Sequence, residues 1–156
     1  MNRELLPFID VLFGHEGDFL AETDSATKPP SYEAETFGAM AARLTDIASG
    51  LKVIAMPIRS TPTANRNDWG AFAYAFRKVH SATTMQNLEV LDRVGSGDAF
   101  ASGFIFGLLT GRELDWALSC GLAHGALVMT TPGDNSFATF AEVAGLMAGA
   151  GAQVRR

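Results

Sequence analysis

The residues best suited to chemistry are Gly95, Ser96, Gly97 and Asp98, within the run Asp92-Arg93-Val94-Gly95-Ser96-Gly97-Asp98-Ala99-Phe100. A short strand leads into a glycine-spaced turn, and the turn opens directly into a helix. Several backbone N–H groups then point at one spot, at the positive end of the helix dipole. Gly95 and Gly97 permit backbone angles and a close approach that side chains would block. The product is an anion hole suited to phosphate, or to charge developing on a transferring phosphoryl group. Asp98 stands at its mouth, where a carboxylate can accept the proton of a hydroxyl attacking phosphorus. A bare Gly-Asp reads first as a glycine turn with Ser96 or Asp98 capping a helix. The preceding strand and the slim following helix, with Ala101, Ser102, Gly103 and Gly107, favour the anion hole.

The elements that must hold this motif are legible from periodicity and turn residues. Asp10 to Gly14 is a short buried strand, and His15 to Phe19 turns away, into a first helical turn carrying Glu16 and Asp18. Thr27 to Ser31, with two prolines, is a loop. From Tyr32 to Ser49 the apolar residues Phe37, Met40, Ala41, Leu44 and Ile47 recur at helical spacing, with Gly50 as the stop. Val53 to Ile58 is an apolar run of strand length, so strand, helix and strand form a βαβ unit and a parallel sheet. Ser60 to Asp68 is polar and turn-rich, a loop. Trp69 to Phe76 and Val79 to Thr84 form a hairpin around Arg77-Lys78, and Leu88 to Leu91 is a last short strand. Three helices follow: Asp98 to Thr110, Glu113 to Met129 and Phe137 to Met147. The tail from Ala148 to Arg156 frays. The fold class is α/β, a parallel-rich sheet flanked by helices, and residues 1–156 read as a single domain.

Composition narrows the function classes. Apolar residues make up 47% of the 156 and charged ones 19%, as in an ordinary folded domain with a substantial core. A net charge of −5 leaves no basic footprint for nucleic acid or an anionic membrane surface. The one cysteine, Cys120, sits in an apolar run as a small core residue, and the absence of a disulfide framework points to the cytoplasm. The N-terminus lacks the pattern of a signal peptide, and the apolar stretches Ala99 to Leu109 and Leu118 to Met129 are too short to span a bilayer. His15, His80 and His124 have no ligand spacing for zinc.

The run from Asp92 to Phe104 resembles the second signature of ribokinase-like (PfkB-type) carbohydrate kinases, Asp-Thr-x-Gly-Ala-Gly-Asp followed by a small-residue helix. Its Arg93-Val94 variant is similar to 2-keto-3-deoxygluconate kinases within that family. The strand Ile9 to Gly14, Arg59 and Ser60, the turn from Asn65 to Gly70, and Gly133-Asp134 agree, so the resemblance runs along essentially the whole chain. It implies a ribokinase-like fold and ATP-dependent phosphoryl transfer to a sugar hydroxyl, with ATP and Mg2+ bound. It implies Asp98 as general base and Gly95, Ser96 and Gly97 as the anion hole for the ATP phosphates. It further implies a nucleotide loop with Ser60 and Asn65, and contacts from Arg59, Asp98 and Asp134 to the sugar or sugar acid. The metal residues stay open, because the family's Asn-x-x-Glu is replaced by His15-Glu16-Gly17-Asp18; Asp18 can still hold a magnesium-bound water.

Kinases of the resembled family are about twice this length, within the range of one large domain. The expectation is therefore the C-terminal, nucleotide-binding half, without the N-terminal half that supplies most sugar contacts and the lid. Such a chain either turns over, by itself or with a complementing N-terminal fragment or a second copy, or is a remnant that binds nucleotide or a partner through an exposed sheet edge. A dinucleotide-binding reading fits poorly, since the glycine motif comes late and is followed by helices rather than a βαβ continuation.

Overall fold

Phe37, Met40, Ala41 and Leu44 recur every three or four residues and form the buried face of helix α1 (Ala34–Ile47) in a computed structural model that describes residues 4–15, 17–19 and 33–149. The helix links β1 (Val11–Phe13) to β2 (Val53–Thr63), and the two strands pair in parallel with Val11 opposite Val53, Leu12 opposite Ile54 and Phe13 opposite Ala55. This is the βαβ unit that the apolar pattern predicts. The expected loop at residues 27–31 and residues 150–156 of the tail expected to fray lie outside the described residues.

Strands β3 (Arg66–Ala75) and β4 (Lys78–Glu89) complete a sheet of order β1-β2-β3-β4. The links Ala64-Asn65 and Phe76-Arg77 have two residues each, too short for anything but antiparallel neighbours. The sheet is therefore mixed, with the parallel pairing at β1–β2. Three expectations change here. Residues 60–68 are not a loop but strand on both sides of Ala64-Asn65, so Ser60 lies within β2. Residues 59–65 are all exposed, so no apolar alternation marks them, and backbone pairing carries the strand. The second turn falls one residue earlier than Arg77-Lys78. Phe76 and Arg77 both take left-handed angles, φ 50° and 60°, as a two-residue hairpin turn requires, and Phe76 stands in solvent at its tip. Of the strand expected at residues 88–91, Leu88 and Glu89 are the end of β4, and residues 90–91 lie beyond it.

Helices α2 (Ser96–Leu109), α3 (Leu114–Val128) and α4 (Phe140–Met147) follow. The last begins three residues later than expected, because Thr139 caps it. Its hydroxyl accepts the Glu142 N–H at 3.3 Å, and the Glu142 carboxylate accepts the Thr139 N–H at 2.8 Å. Among the described residues no helix is long and apolar enough to cross a membrane.

The chain divides into two units. The first comprises Met1–Ile58 and Phe72–Ser81; its core gathers Leu6, Leu12, Phe19, the buried face of α1, Leu51, Ile54, Met56 and Tyr74, with Phe37 stacked on Phe72 at 5.6 Å. The second comprises Arg59–Ala71 and Ala82–Arg156. There α2 and α3 pack through small residues. A methyl group built on Gly121 would stand 2.6 Å from the Phe100 carbonyl oxygen, and one on Gly103 would stand 2.9 Å from that of Cys120. Trp69 is buried edge-on to Phe100 and donates its indole N–H to the Leu122 carbonyl at 3.0 Å.

Candidate active site

Every site residue expected from the sequence, namely Arg59, Ser60, Asn65, Gly95, Ser96, Gly97, Asp98 and Asp134, belongs to the second unit. Beyond β4, the N–H groups of Leu91 and Asp92 both reach the Met129 carbonyl, at 2.9 and 3.4 Å, which ties the entry of the motif to the end of α3. Gly95 then takes φ 79°, ψ −7° as the N-cap of α2. Only glycine adopts that angle cheaply, and a side chain at Gly95 would also meet the Asp134 backbone at 3.0–3.3 Å.

Ser96 is buried, and its hydroxyl donates to the Arg93 carbonyl at 2.9 Å, so this side chain closes the turn rather than facing a ligand. The groups left at the helix start are backbone N–H donors. Among the described residues neither the Gly97 nor the Asp98 N–H has a backbone acceptor, and both point from the positive end of a helix of 14 residues. A side chain on Gly97 would meet nothing within 4 Å. Asp98 is exposed in the first turn of α2.

Two contacts bring the loop after α3 to this helix start. The Asp92 carboxylate accepts the Val94 N–H at 3.0 Å and, through its other oxygen, the Gly133 N–H at 2.9 Å; these bonds hold its pKa below the usual carboxylate range. The Asp134 backbone rests on Gly95, as the glycine's missing side chain allows. Asp134 and the motif are therefore neighbours although 36 residues apart in number (134 − 98).

The turn Ala64-Asn65 is joined to the same segment. The Val90 N–H donates to the Asn65 carbonyl at 3.0 Å, and the Arg93 guanidinium donates to the Ala64 carbonyl at 2.6 Å and to the Asn67 amide oxygen at 3.2 Å. Asn65 is thus brought to the motif. Arg59 and Ser60 are exposed on β2. A cavity of about 460 Å³ opens in the second unit between residues 82–85 of β4, Ser119 and Leu122 of α3, and residues 146–149. Cys120 is a free, buried thiol whose pKa burial pushes up, as suits a core residue. Asp18 lies in the first unit, where its carboxylate accepts the His15 N–H at 2.9 Å. Among the described residues no three His, Cys, Asp or Glu side chains stand close enough to hold one metal ion.

The profile of pfkB family carbohydrate kinases matches residues 4–140. The chain belongs to this family. A 2-dehydro-3-deoxygalactonokinase of Haloferax volcanii is 27% identical over 154 residues, covering 99% of this chain and 43% of that protein. The crystal structure of 2-dehydro-3-deoxygluconokinase from Thermotoga maritima superposes with a TM-score of 0.85 at 24% identity, over 94% of this chain and 43% of the other. A structure of a putative Ribokinase II from E. coli in complex with ATP and Mg2+ superposes at 0.60 and 22% identity, over 85% of this chain and 36% of the other. The fold is thus the ribokinase-like α/β fold of pfkB carbohydrate kinases. The chain spans less than half the length of these relatives.

The structure adds residues that local pattern does not single out. Asp92 and Arg93 belong to the signature in sequence, and in space they fasten the loop and the turn to the motif. His124, which lacks zinc spacing, has a different partner. Its Nε2 lies 2.6 Å from the Ser136 hydroxyl. No local pattern signals that pair, since twelve residues and a helix end separate its members.

Proposed function

We propose that this chain carries the ATP side of a carbohydrate-kinase site together with the base that activates the sugar hydroxyl, as the C-terminal nucleotide-binding part of the pfkB fold. The observation that carries this is Gly97. Packing does not require a glycine there, yet the free N–H groups of Gly97 and Asp98 open onto the space its missing side chain leaves. A phosphoryl group seated at that distance from the amides explains the residue type.

The cavity of about 460 Å³ is of a size to take the nucleoside end of ATP. It includes Leu122, three residues and about 4.5 Å of helix rise from Gly125, which in turn packs against the Ser96 carbonyl. Asn65, held by Val90, and Ser60 on β2 are assigned to the nucleotide. The sugar hydroxyl oxygen attacks the γ-phosphorus in line; that O–P bond forms as the bond to the bridging oxygen of ADP breaks, and Asp98 takes the hydroxyl proton. Asp134, beside Gly95, and the exposed Arg59 face a sugar acid, 2-keto-3-deoxygluconate phosphorylated at its terminal hydroxyl. Mg2+ comes to the site on the ATP phosphates with its waters. The remaining acceptor contacts come from a complementing N-terminal half or a second copy, and a reaction on ATP fits the cytoplasm.

The test is ADP release from MgATP with 2-keto-3-deoxygluconate, for the chain alone and with the N-terminal half of a relative added. Sugar-dependent turnover should fall about 1000-fold in Asp98→Asn with the melting temperature unchanged. A folded sample without turnover under both conditions would reduce the chain to a nucleotide-binding remnant.

A further inference from the structure

Among the described residues no group hydrogen-bonds the Asp134 carboxylate, so its place depends on how the loop backbone is held. One side of that loop is fixed by Asp92, through the Gly133 N–H. The other is fixed by a histidine on α3. His124 stands in a run of small and apolar residues, Gly121 to Met129, in which every other member is buried. Its Nε2 is 2.6 Å from the Ser136 hydroxyl, two residues after Asp134, and the next residue of α3, Gly125, lies against the Ser96 carbonyl at the start of α2.

The Ser136 oxygen also accepts the Ala138 N–H at 3.3 Å, so the hydroxyl that meets the ring is itself held by the loop backbone. The histidine thus joins the loop to α3, whose Gly125 lies against the start of α2. Burial lowers the His124 pKa, so the ring is neutral at pH 7 and one of its nitrogens can accept.

We propose that His124 is a positioning residue, which through Ser136 fixes the Asp134 loop against the first turns of α2 and so keeps Asp134 and Asp98 in one geometry toward the acceptor. The inference rests on the reading of Asp98 and Asp134 as acceptor-facing groups.

The experiment compares the chain with His124→Ala, His124→Gln and Ser136→Ala. With MgATP and 2-keto-3-deoxygluconate, His124→Ala should raise the acceptor KM about tenfold and leave the KM for ATP within about twofold. Ser136→Ala should do the same, and His124→Gln, whose amide can both donate and accept, should recover most of the loss. A second readout needs no turnover. In 15N spectra the amides of Gly95 and of residues 133–136 should shift in His124→Ala and Ser136→Ala but little in His124→Gln, and the His124 ring should show one neutral tautomer at pH 7. If the parent chain is inactive, the proposed reaction fails and the spectra alone decide this inference. Unmoved loop amides in both truncations, equal changes in the two KM values, or a His124→Gln no better than His124→Ala would overturn it. Should His124→Ala not fold, Ser136→Ala and His124→Gln decide between the same outcomes.

Discussion

In the first unit α1 meets its core through Phe37, Met40 and Leu44, large side chains set every three or four residues. In the second unit α2 and α3 meet through Gly103, Gly107, Gly121 and Gly125, where added methyl groups would stand 2.6–2.9 Å from a neighbour. The first is held by apolar volume, the second by the close approach of backbones. The difference teaches where chemistry can be built. Side-chain packing tolerates exchange of one hydrophobe for another. Backbone-to-backbone packing holds helix ends and loops to a few tenths of an ångström, as an anion hole and a poised carboxylate require.

Three substitutions probe that contrast, beyond those at Asp98 and His124. Leu44→Ala empties a fully buried site of the first unit and should cost about 3 kcal/mol in denaturant unfolding. A loss below about 1 kcal/mol would mean that α1 is not held by volume. Gly121→Ala adds one methyl group against the Phe100 carbonyl and should cost about 2 kcal/mol, although alanine is the better helix former. A stabilised variant would remove the claim of backbone contact. Gly97→Ala places a methyl group in open space on a helical residue and should raise stability by about 0.5 kcal/mol while lowering ADP release at least about tenfold. Unchanged turnover in that variant would detach the glycine from phosphate binding.

Much of the architecture is legible in the sequence. The βαβ unit, the hairpin and the three C-terminal helices each announce themselves through local periodicity or a turn residue. Residues 60–68 do not, because 60–65 are exposed on both faces and the half-buried to buried Arg66, Asn67 and Asp68 are polar, so no apolar alternation marks them and Ser60 reads as loop. The start of α4 carries a signal that apolar periodicity overrides: Thr139 followed by Glu142 is a capping box in plain sequence. At the candidate site the motif's turn and helix are local and legible, as is the small-residue packing behind them. The meeting of Gly95 with Asp134 and of Asp92 with Gly133 does not follow from spacing. Asp134 enters only through family resemblance, and the role of His124 not at all, since contacts across 39, 41 or 12 residues (134 − 95, 133 − 92 and 136 − 124) leave no periodic trace.

Trp69, buried against Phe100 with its indole N–H on the Leu122 carbonyl, is one of two tryptophans in the chain. The other, Trp116, lies in the same unit, beneath the Arg112 guanidinium. The tryptophan fluorescence of this protein, excited beyond the tyrosine band, is therefore a private signal of the glycine-packed unit. Its emission colour will follow water reaching the floor of the motif helix, while the unit built on α1 stays dark to that light.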